Sequence, residues 1–283
     1  MELRDLETLI AISEEGSLEA AARKLLVSAA AVSQRLSRME ELAGKQFVIR
    51  SQPAQLTEAG NAMVRAGRQI RLVLEEATPN LPMMALPIQV AVHHDSLASW
   101  FVHVLVRFHQ RTGRTIEVIA SDHSVTRDLM RAGQAAAAVS SDPDPLPGCI
   151  AKPLGRLDYV AVVATAHVTG RRWKTLPVLC FDRHDSPTSL SLATLGLTEV
   201  SRNYVPSVHD MHAALLHGAG WAVMPLPLVA EGLASGILAR LLPDPTLRIE
   251  LYLHRWRAES SVLGVLEEEA VAAFRSQVNA KYQ

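Results

Sequence analysis

From the first residues, apolar positions recur at intervals of three and four. Leu3, Leu6, Leu9 and Ile10 have the spacing of one helical face. Gly16 ends that helix, because the left-handed conformation common after a last helical turn strains glycine least. Ser17 is placed to cap LEAAARKLL and Ser28 to cap AAAVSQRLSRMEE, two short helices across a tight turn. After Gly44, apolar residues alternate through KQFVIRSQPAQLT around a Ser-Gln-Pro turn, which predicts a small two-stranded wing. Leu56, Ala59, Met63, Ala66, Ile70, Val73 and Ala77 then follow a 3-4-3-4-3-4 spacing, the seam of a coiled coil. A helix lying on its own domain is the alternative. Three prolines in ATPNLPMMALP favour a dimerising connector followed by a linker, with a domain boundary between residues 80 and 87.

Beyond the linker the pattern changes to short apolar runs alternating with amphipathic stretches. IQVAV, TIEVIA, AAAAVS, YVAVVA, PVLCF, GWAVM and LRIELYL read as strands, with helical segments such as SLASWFVHVLVRFHQRTG and SVTRDLMRAG between several of them. This predicts an α/β domain with mainly parallel pairing, whose ligand sits beyond the carboxyl ends of the strands.

Wound at about 100° per residue, the helix opening at Ala29 puts Val32, Leu36, Met39 and Ala43, with Ala29, on one stripe. The opposite face carries Ala30, Gln34, Ser37, Arg38 and Glu41, with Ser33 and Arg35 on its shoulders. Small residues near a helix start let the backbone enter a major groove, where Gln and Arg read base edges and Ser binds phosphate or base. An ordinary amphipathic surface helix would show the same division. The preceding helix, the turn, the caps and the wing favour the DNA reading.

Charge supports it locally. The 283-residue chain has a net charge of −1, but residues 23 to 71 hold nine bases against three acids, a patch able to meet phosphates on a protein neutral overall. The length suits two domains with a real core. No apolar run is long enough to cross a bilayer, and the N-terminal segment carries acids where a secretory leader needs a basic start, so a cytoplasmic protein without membrane association is expected. The two cysteines, Cys149 and Cys180, lack zinc-like spacing and form no disulfide framework.

Polar residues cluster where strands end or helices begin. Asp95 and Ser96 follow IQVAVHH, Ser121 and Asp122 follow TIEVIA, Ser140 follows AAAAV, Asp182 follows PVLCF, and Ser207 precedes a helix after NYVP. Serine hydroxyls and free helix N–H groups suit a carboxylate, whereas Asp95, Asp122 or Asp182 suit an ammonium, and Trp100 is placed to floor the site. Each of these residues would also serve as an ordinary cap. The chain carries no phosphate loop, nucleophile elbow or HEXXH, and catalytic residues and a metal are not expected. His209 and His212 are spaced for a metal, but two such residues are more often surface or cap histidines. A metal enzyme is therefore the less favoured alternative, as is a free-standing solute-binding protein.

GSLEAAARKLLVSAAAVSQRLSRMEELAGKQFVIR followed by LTEAG resembles the winged helix-turn-helix of LysR-type transcriptional regulators almost position by position. AVSQR, DSLASWF, GRLDY, FDRHD and HRWRAES resemble the subgroup that controls lysine and arginine exporters. The resemblance implies an α/β protein of three parts: a winged helix-turn-helix over residues 1–58, a dimerising connector helix and linker over 59–86, and a two-lobed effector domain similar to periplasmic binding proteins over 87–283. It implies a regulator that binds double-stranded promoter DNA, forms a homodimer or homotetramer, can meet RNA polymerase there, and uses no cofactor beyond a small-molecule effector. Carried over by position, Ser28, Ala30, Ser33, Gln34, Arg35 and Arg38 fall on the recognition helix, and Arg50 and Thr57 on the wing and its exit. Ala29 stands where many members carry Gln. Asp95, Ser96, Trp100, Asp122, Ser140, Asp182, Ser207 and His209 are the expected effector contacts. Lysine or arginine is the effector implied. Ser121, His123 and His209 replace acids of the subgroup, which keeps a neutral amino acid or small carboxylate as the alternative.

Overall fold

A computed structural model of the protein describes residues 1–49, 51–78, 86–121, 125–197 and 199–278. Arg50, Asp122 and most of the proline-bearing linker lie outside them. At the N-terminus α1 (Leu3–Glu15), α2 (Leu18–Lys24) and α3 (Ala29–Ala43) pack around Leu9, Ile12, Ala21, Val32, Leu36 and Met39. Local chemistry sets their ends. Gly16 closes α1 at φ 67°, and Ser17 and Ser28 accept the N–H groups of Ala20 and Ala31. Ala29 and Ala43, expected on the packed stripe, are exposed, so the buried face of α3 narrows to Val32, Leu36 and Met39. The wing pairs β1 (Val48–Ile49) antiparallel with β2 (Gln55–Leu56).

The connector helix α4 (Glu58–Ala77) buries a different stripe from the apolar seam: Gly60, Val64, Gly67 and Leu72. A Cβ on Gly60 would stand 2.1 Å from the Phe47 carbonyl oxygen, and one on Gly67 would stand 3.2 Å from Leu6 and Ile10. Glycine therefore allows α4 to lie directly on α1 and the wing. Of the seam, Leu56, Ala59 and Met63 pack on the DNA-binding domain's own core, whereas Ile70 and Val73 remain 45% and 43% exposed.

The larger domain begins with β3 (Ile88–His93), the short α5 (His94–Ser96), a π-turn at Leu97–Phe101 and α6 (Val102–Thr112). It continues through β4 (Ile116–Ser121), α7 (Thr126–Arg131), β5 (Ala137–Ser140) and the long β6 (Cys149–Ala164). Then come β7 (Val178–Cys180), α8 (Ser186–Thr194), β8 (Arg202–Tyr204), α9 (Val208–Leu216), β9 (Trp221–Pro225), α10 (Leu226–Ala234), β10 (Leu238–Arg240), β11 (Leu247–Trp256) and α11 (Ser261–Gln277). Strand order is β4-β3-β5-β11-β6-β9-β7-β8, with β10 on β6.

The pairing is mixed, not mainly parallel. β3 with β4 and β5, and β7 with β8 and β9, are parallel; β6 is antiparallel to β9, β10 and β11, as β11 is to β5. The parallel groups form two lobes, and the antiparallel β6 and β11 run between them. Leu154 and Leu157 of β6 belong to the large core around Trp100, Phe108 and Phe274, while Val160 and Val162 belong to a second core with Met211, Leu215 and Val229. Gly155, at φ 136°, lets β6 pass the Phe274 ring, which would lie 2.9 Å from a Cβ.

The C-terminal part of α4 docks on the first lobe. Leu72 enters its core, Glu75 accepts a 2.7 Å bond from Arg114, and Glu76 accepts the Ser261 N–H at 2.8 Å where α11 begins.

Candidate DNA-binding face and effector cleft

On α3, Ala30 and Gln34 are exposed, Ser33 is half-buried, and the exposed Ser28 spends an oxygen lone pair on its cap. Arg4, Ala31, Gln34, Arg35 and Arg38 line a concavity of about 210 Å³. The two arginines are already held from behind. Arg38 Nη2 donates to both carboxylate oxygens of Asp5, at 2.6 and 2.7 Å, and Arg35 Nη1 donates to Thr8 Oγ1 at 3.2 Å. Asp5 and Thr8 are fully buried on α1. Burial alone would raise the Asp5 pKa, but the Glu2 N–H and Arg38 together hold it below the usual carboxylate value.

Arg38 is one of the residues expected to read bases. With Nη2 committed, a two-toothed grip on guanine through that nitrogen is closed to it, and Nη1 and Nε remain for single contacts. Gln34 is a long polar side chain on this face with no such tether among the described residues. Thr57, expected to contact DNA at the wing exit, caps α4 by accepting the Gly60 N–H and donates its own proton to the Gln46 carbonyl at 2.7 Å. Glu40 accepts the Phe47 and Val48 N–H groups, fixing the wing against α3, a bond whose only trace in the sequence is an acid late in the helix.

The second site is a cleft of about 520 Å³ between the lobes. The first lobe contributes His93, His94, Asp95 and Ser121. The second contributes Phe181, Asp182, His184, Asp185 and an apolar wall that includes Met211 and Met224. The His94 and Phe181 rings meet across the opening with centroids 4.6 Å apart.

Asp95 and Asp182, both expected, are brought together here. Ser96, Trp100, Ser140, Ser207 and His209 do not line the cleft. Ser96 is buried beneath it. Trp100 packs edge-on against Phe101 and Phe274 in the first lobe's core instead of flooring the site. Ser207 accepts the Asp210 N–H as the cap of α9, and Ser140 accepts the Asp142 N–H in the turn after β5. His209 is exposed on α9, where the buried Val208 and Met211 face the cleft instead.

Two functional groups escaped the sequence reading. Asp185 caps α8, accepting the N–H and hydroxyl of Thr188 and the Phe181 N–H. Tyr159, midway along β6, donates its hydroxyl proton to Asp95 at 2.8 Å. Burial and the nearby Asp185 charge push the Asp95 pKa up to about 6, against the opposing Tyr159 hydrogen bond. Burial, then Asp95 itself, raises the Tyr159 phenol well above its usual value. Three carboxylates thus face one cavity, and no lysine or arginine is among the described residues lining it. Such a site is short of a cation.

Residues 3–61 match the bacterial regulatory helix-turn-helix of the LysR family, and residues 85–277 match the LysR substrate binding domain. The lysine export transcriptional regulatory protein LysG of Corynebacterium efficiens is 33% identical over 96% of this chain and 97% of its own. The regulator ArgP of Pseudomonas fluorescens Pf0-1 is 31% identical over 94% of each. Among solved structures, full-length LysG of Corynebacterium glutamicum with bound effector Arg superposes with a TM-score of 0.80 at 31% identity, covering 98% of this chain and 99% of that one. ArgP of Mycobacterium tuberculosis superposes at 0.84 with 29% identity, covering 97% of both. With its tethered recognition helix in front and its two-lobed cleft behind, the chain belongs to the LysR family of DNA-binding transcriptional regulators.

Proposed function

We propose that this regulator senses a basic amino acid in the cleft and adjusts its grip on the promoter of an amino-acid exporter gene accordingly. The observation that carries the effector class is the meeting of Asp95, Asp182 and Asp185 from two lobes with no cation among the described lining residues. Like charges held together in a partly dry site repel, and a guanidinium or ammonium relieves them through charge-assisted bonds. Asp185 supplies an acid that offsets those replaced at Ser121 and His209. The methionines and Phe181 fit an aliphatic stem, and the imidazoles of His94 and His184 are donors for an α-carboxylate. A volume of about 520 Å³ lies within the range of small-molecule sites. Relatives named for lysine export, and one solved with arginine, agree with this reading.

Promoter DNA would meet Ala30, Ser33, Gln34, Arg35 and Arg38, with Arg50 on the wing. The exposed Ile70 and Val73 would pair with the same face of a second connector in a homodimer, which a homotetramer would double. The regulator works in the cytoplasm, where it would also meet RNA polymerase at the promoter.

Calorimetry with L-arginine, L-lysine and the neutral isostere L-citrulline tests the effector reading. Binding of arginine or lysine at least about tenfold tighter than citrulline is expected, since one charge-assisted bond contributes roughly 1.5–3 kcal/mol. Equal or stronger binding of citrulline would replace the basic effector with a neutral one.

A further inference from the structure

Helix α7 touches the cleft at one end and the connector at the other. At its start the buried Thr126 Oγ1 lies 3.1 Å from His93 Nε2 and 3.4 Å from Ser121 Oγ, and both of those residues line the cleft. At its end the chain turns through Gly133, at φ 71°, and two carbonyls face α4. Arg65 Nη1 donates to Arg131 O at 3.1 Å, and Arg68 Nη1 to Gly133 O at 2.6 Å. The approach is close: a Cβ on Gly133 would stand 2.8 Å from the Arg65 Cα. Met130, 2% exposed, sets the helix into the first lobe's core, so α7 is a short strut packed between two polar contacts.

Arg68 carries the contact onward. Its other nitrogen, Nη2, donates to Glu14 of α1 at 2.7 Å, and its side chain is only 12% exposed. Glu14 also holds Lys24 of α2 at 2.9 Å. Burial alone would raise the Glu14 pKa, but Lys24 and Arg68 hold it below the usual value. One guanidinium therefore binds the effector domain with one nitrogen and the DNA-binding domain with another. α1 is also the helix whose Asp5 and Thr8 hold Arg38 and Arg35 of α3. A displacement of α1 is thus a displacement of the arginines on the DNA face.

We propose that Arg68 is a positioning residue for effector control, passing the state of the cleft, delivered through α7, to α1 and to the recognition-helix arginines. The proposal rests on the reading of α3 as the DNA face and of the cleft as the effector site. Its physical content is a contiguous set of directional bonds, in which a change at His93 or Ser121 has a packed route to Glu14. Other connector contacts, Arg65 with Arg131, Glu75 with Arg114 and Glu76 with Ser261, do not involve Arg68. Removing Arg68 should therefore leave the domains docked while cutting this route.

A double-mutant cycle on DNA affinity tests it without needing an effector. Thr126→Val keeps the buried shape and deletes the hydroxyl at the cleft end; Arg68→Gln deletes the bridge. Both variants and their combination are titrated by anisotropy against a duplex from the protein's own upstream region at fixed salt, with thermal melts to confirm folding. Thr126→Val is expected to shift affinity by about threefold or more when Arg68 is present, and by less than about twofold when it is Gln, because uncoupled distant sites add. Equal shifts in both backgrounds, or no shift in either, overturn the proposal. Glu14→Gln breaks the same bridge from the other side and takes the place of any Arg68 variant that does not fold. In a second arm, L-arginine should bind Arg68→Gln as it binds the wild type but no longer change its DNA binding; a retained change also overturns the proposal. Failure of L-arginine and L-lysine to bind the wild type removes the effector reading alone, since the cycle does not use them.

Discussion

The two functional regions treat charge in opposite ways. On the proposed DNA face, Arg35 and Arg38 are tied from behind by Thr8 and Asp5. In the cleft, Asp95, Asp182 and Asp185 face a cavity whose described lining holds no lysine or arginine. The first arrangement pre-positions: an anchored side chain loses less rotamer freedom on binding, and its position follows the helix that anchors it. The second leaves an electrostatic demand unmet, which the proposed cationic effector would satisfy. A regulator needs both. A tethered DNA face obeys movements of α1, and an uncompensated cleft changes most when its ligand enters.

The sharpest way to break the comparison is to remove the demand. Asp95→Asn keeps the shape and an acceptor for the Tyr159 hydroxyl but loses the charge. It should weaken arginine or lysine binding by about ten- to a hundredfold, measured by calorimetry, with DNA affinity in the absence of effector unchanged. If effector affinity survives, the cleft acids are not what holds the ligand.

A smaller effect separates tethered from untethered groups on α3. Gln34→Ala should reduce operator affinity by about tenfold, within the range for one base-reading contact, and leave the melting temperature unchanged, because Gln34 is exposed. Arg38→Ala should lower DNA affinity less steeply, with a shallower salt dependence. It should also destabilise the fold by about 1–2 kcal/mol, because Asp5 would be left buried with the Glu2 N–H but without its cationic partner. Equal melting temperatures for the two variants would show that the Asp5 tether contributes nothing in solution.

The same contrast explains what could be read from sequence. Ser17, Ser28 and Gly16 act within a few residues of themselves, so caps and turns were legible, and with them the helix-turn-helix. The connector was half legible. Apolar spacing found the seam that remains exposed at Ile70 and Val73, but Gly60 and Gly67, where the helix touches α1 and the wing most closely, are invisible to a count of apolar positions. β6 was read only in its YVAVVA half, because Lys152, Pro153, Gly155 and Arg156 interrupt its apolar pattern, and the antiparallel crossing between lobes was lost with the rest. The cleft suffered most. Ser140 and Ser207 have the chemistry of ligands, yet one closes a turn and the other caps a helix. Asp185 lies in FDRHD, a segment already singled out, but its neighbour Asp182 drew the assignment. Tyr159 reaches Asp95 only through a fold that joins residues 64 apart in sequence.

The smallest effect is the most discriminating, because the two regions should respond to acid with opposite sign. The raised pKa of Asp95, about 6, means that between its ordinary value of 3.8 and 6 the folded state binds the proton the unfolded chain has released. Its contribution to stability is therefore fully present below 3.8 and is lost as pH rises through 6. Asp5, held below the ordinary value, contributes stability that is present above 3.8 and lost as pH falls through its own lowered pKa. Effector binding follows the first group, since a cationic ligand needs Asp95 ionised. Arginine affinity should fall by about fourfold between pH 7.5 and 5.5, the fraction of a group of pKa about 6 left ionised at the lower value being roughly a quarter. Over that interval Asp5 stays ionised, the Arg38 tether holds, and hydrogen exchange in α1 and α3 should not change with effector absent. Asp95→Asn should flatten the affinity profile while leaving the exchange pattern alone. A pH dependence that persists in this variant would show that Asp95 is not the titrating group.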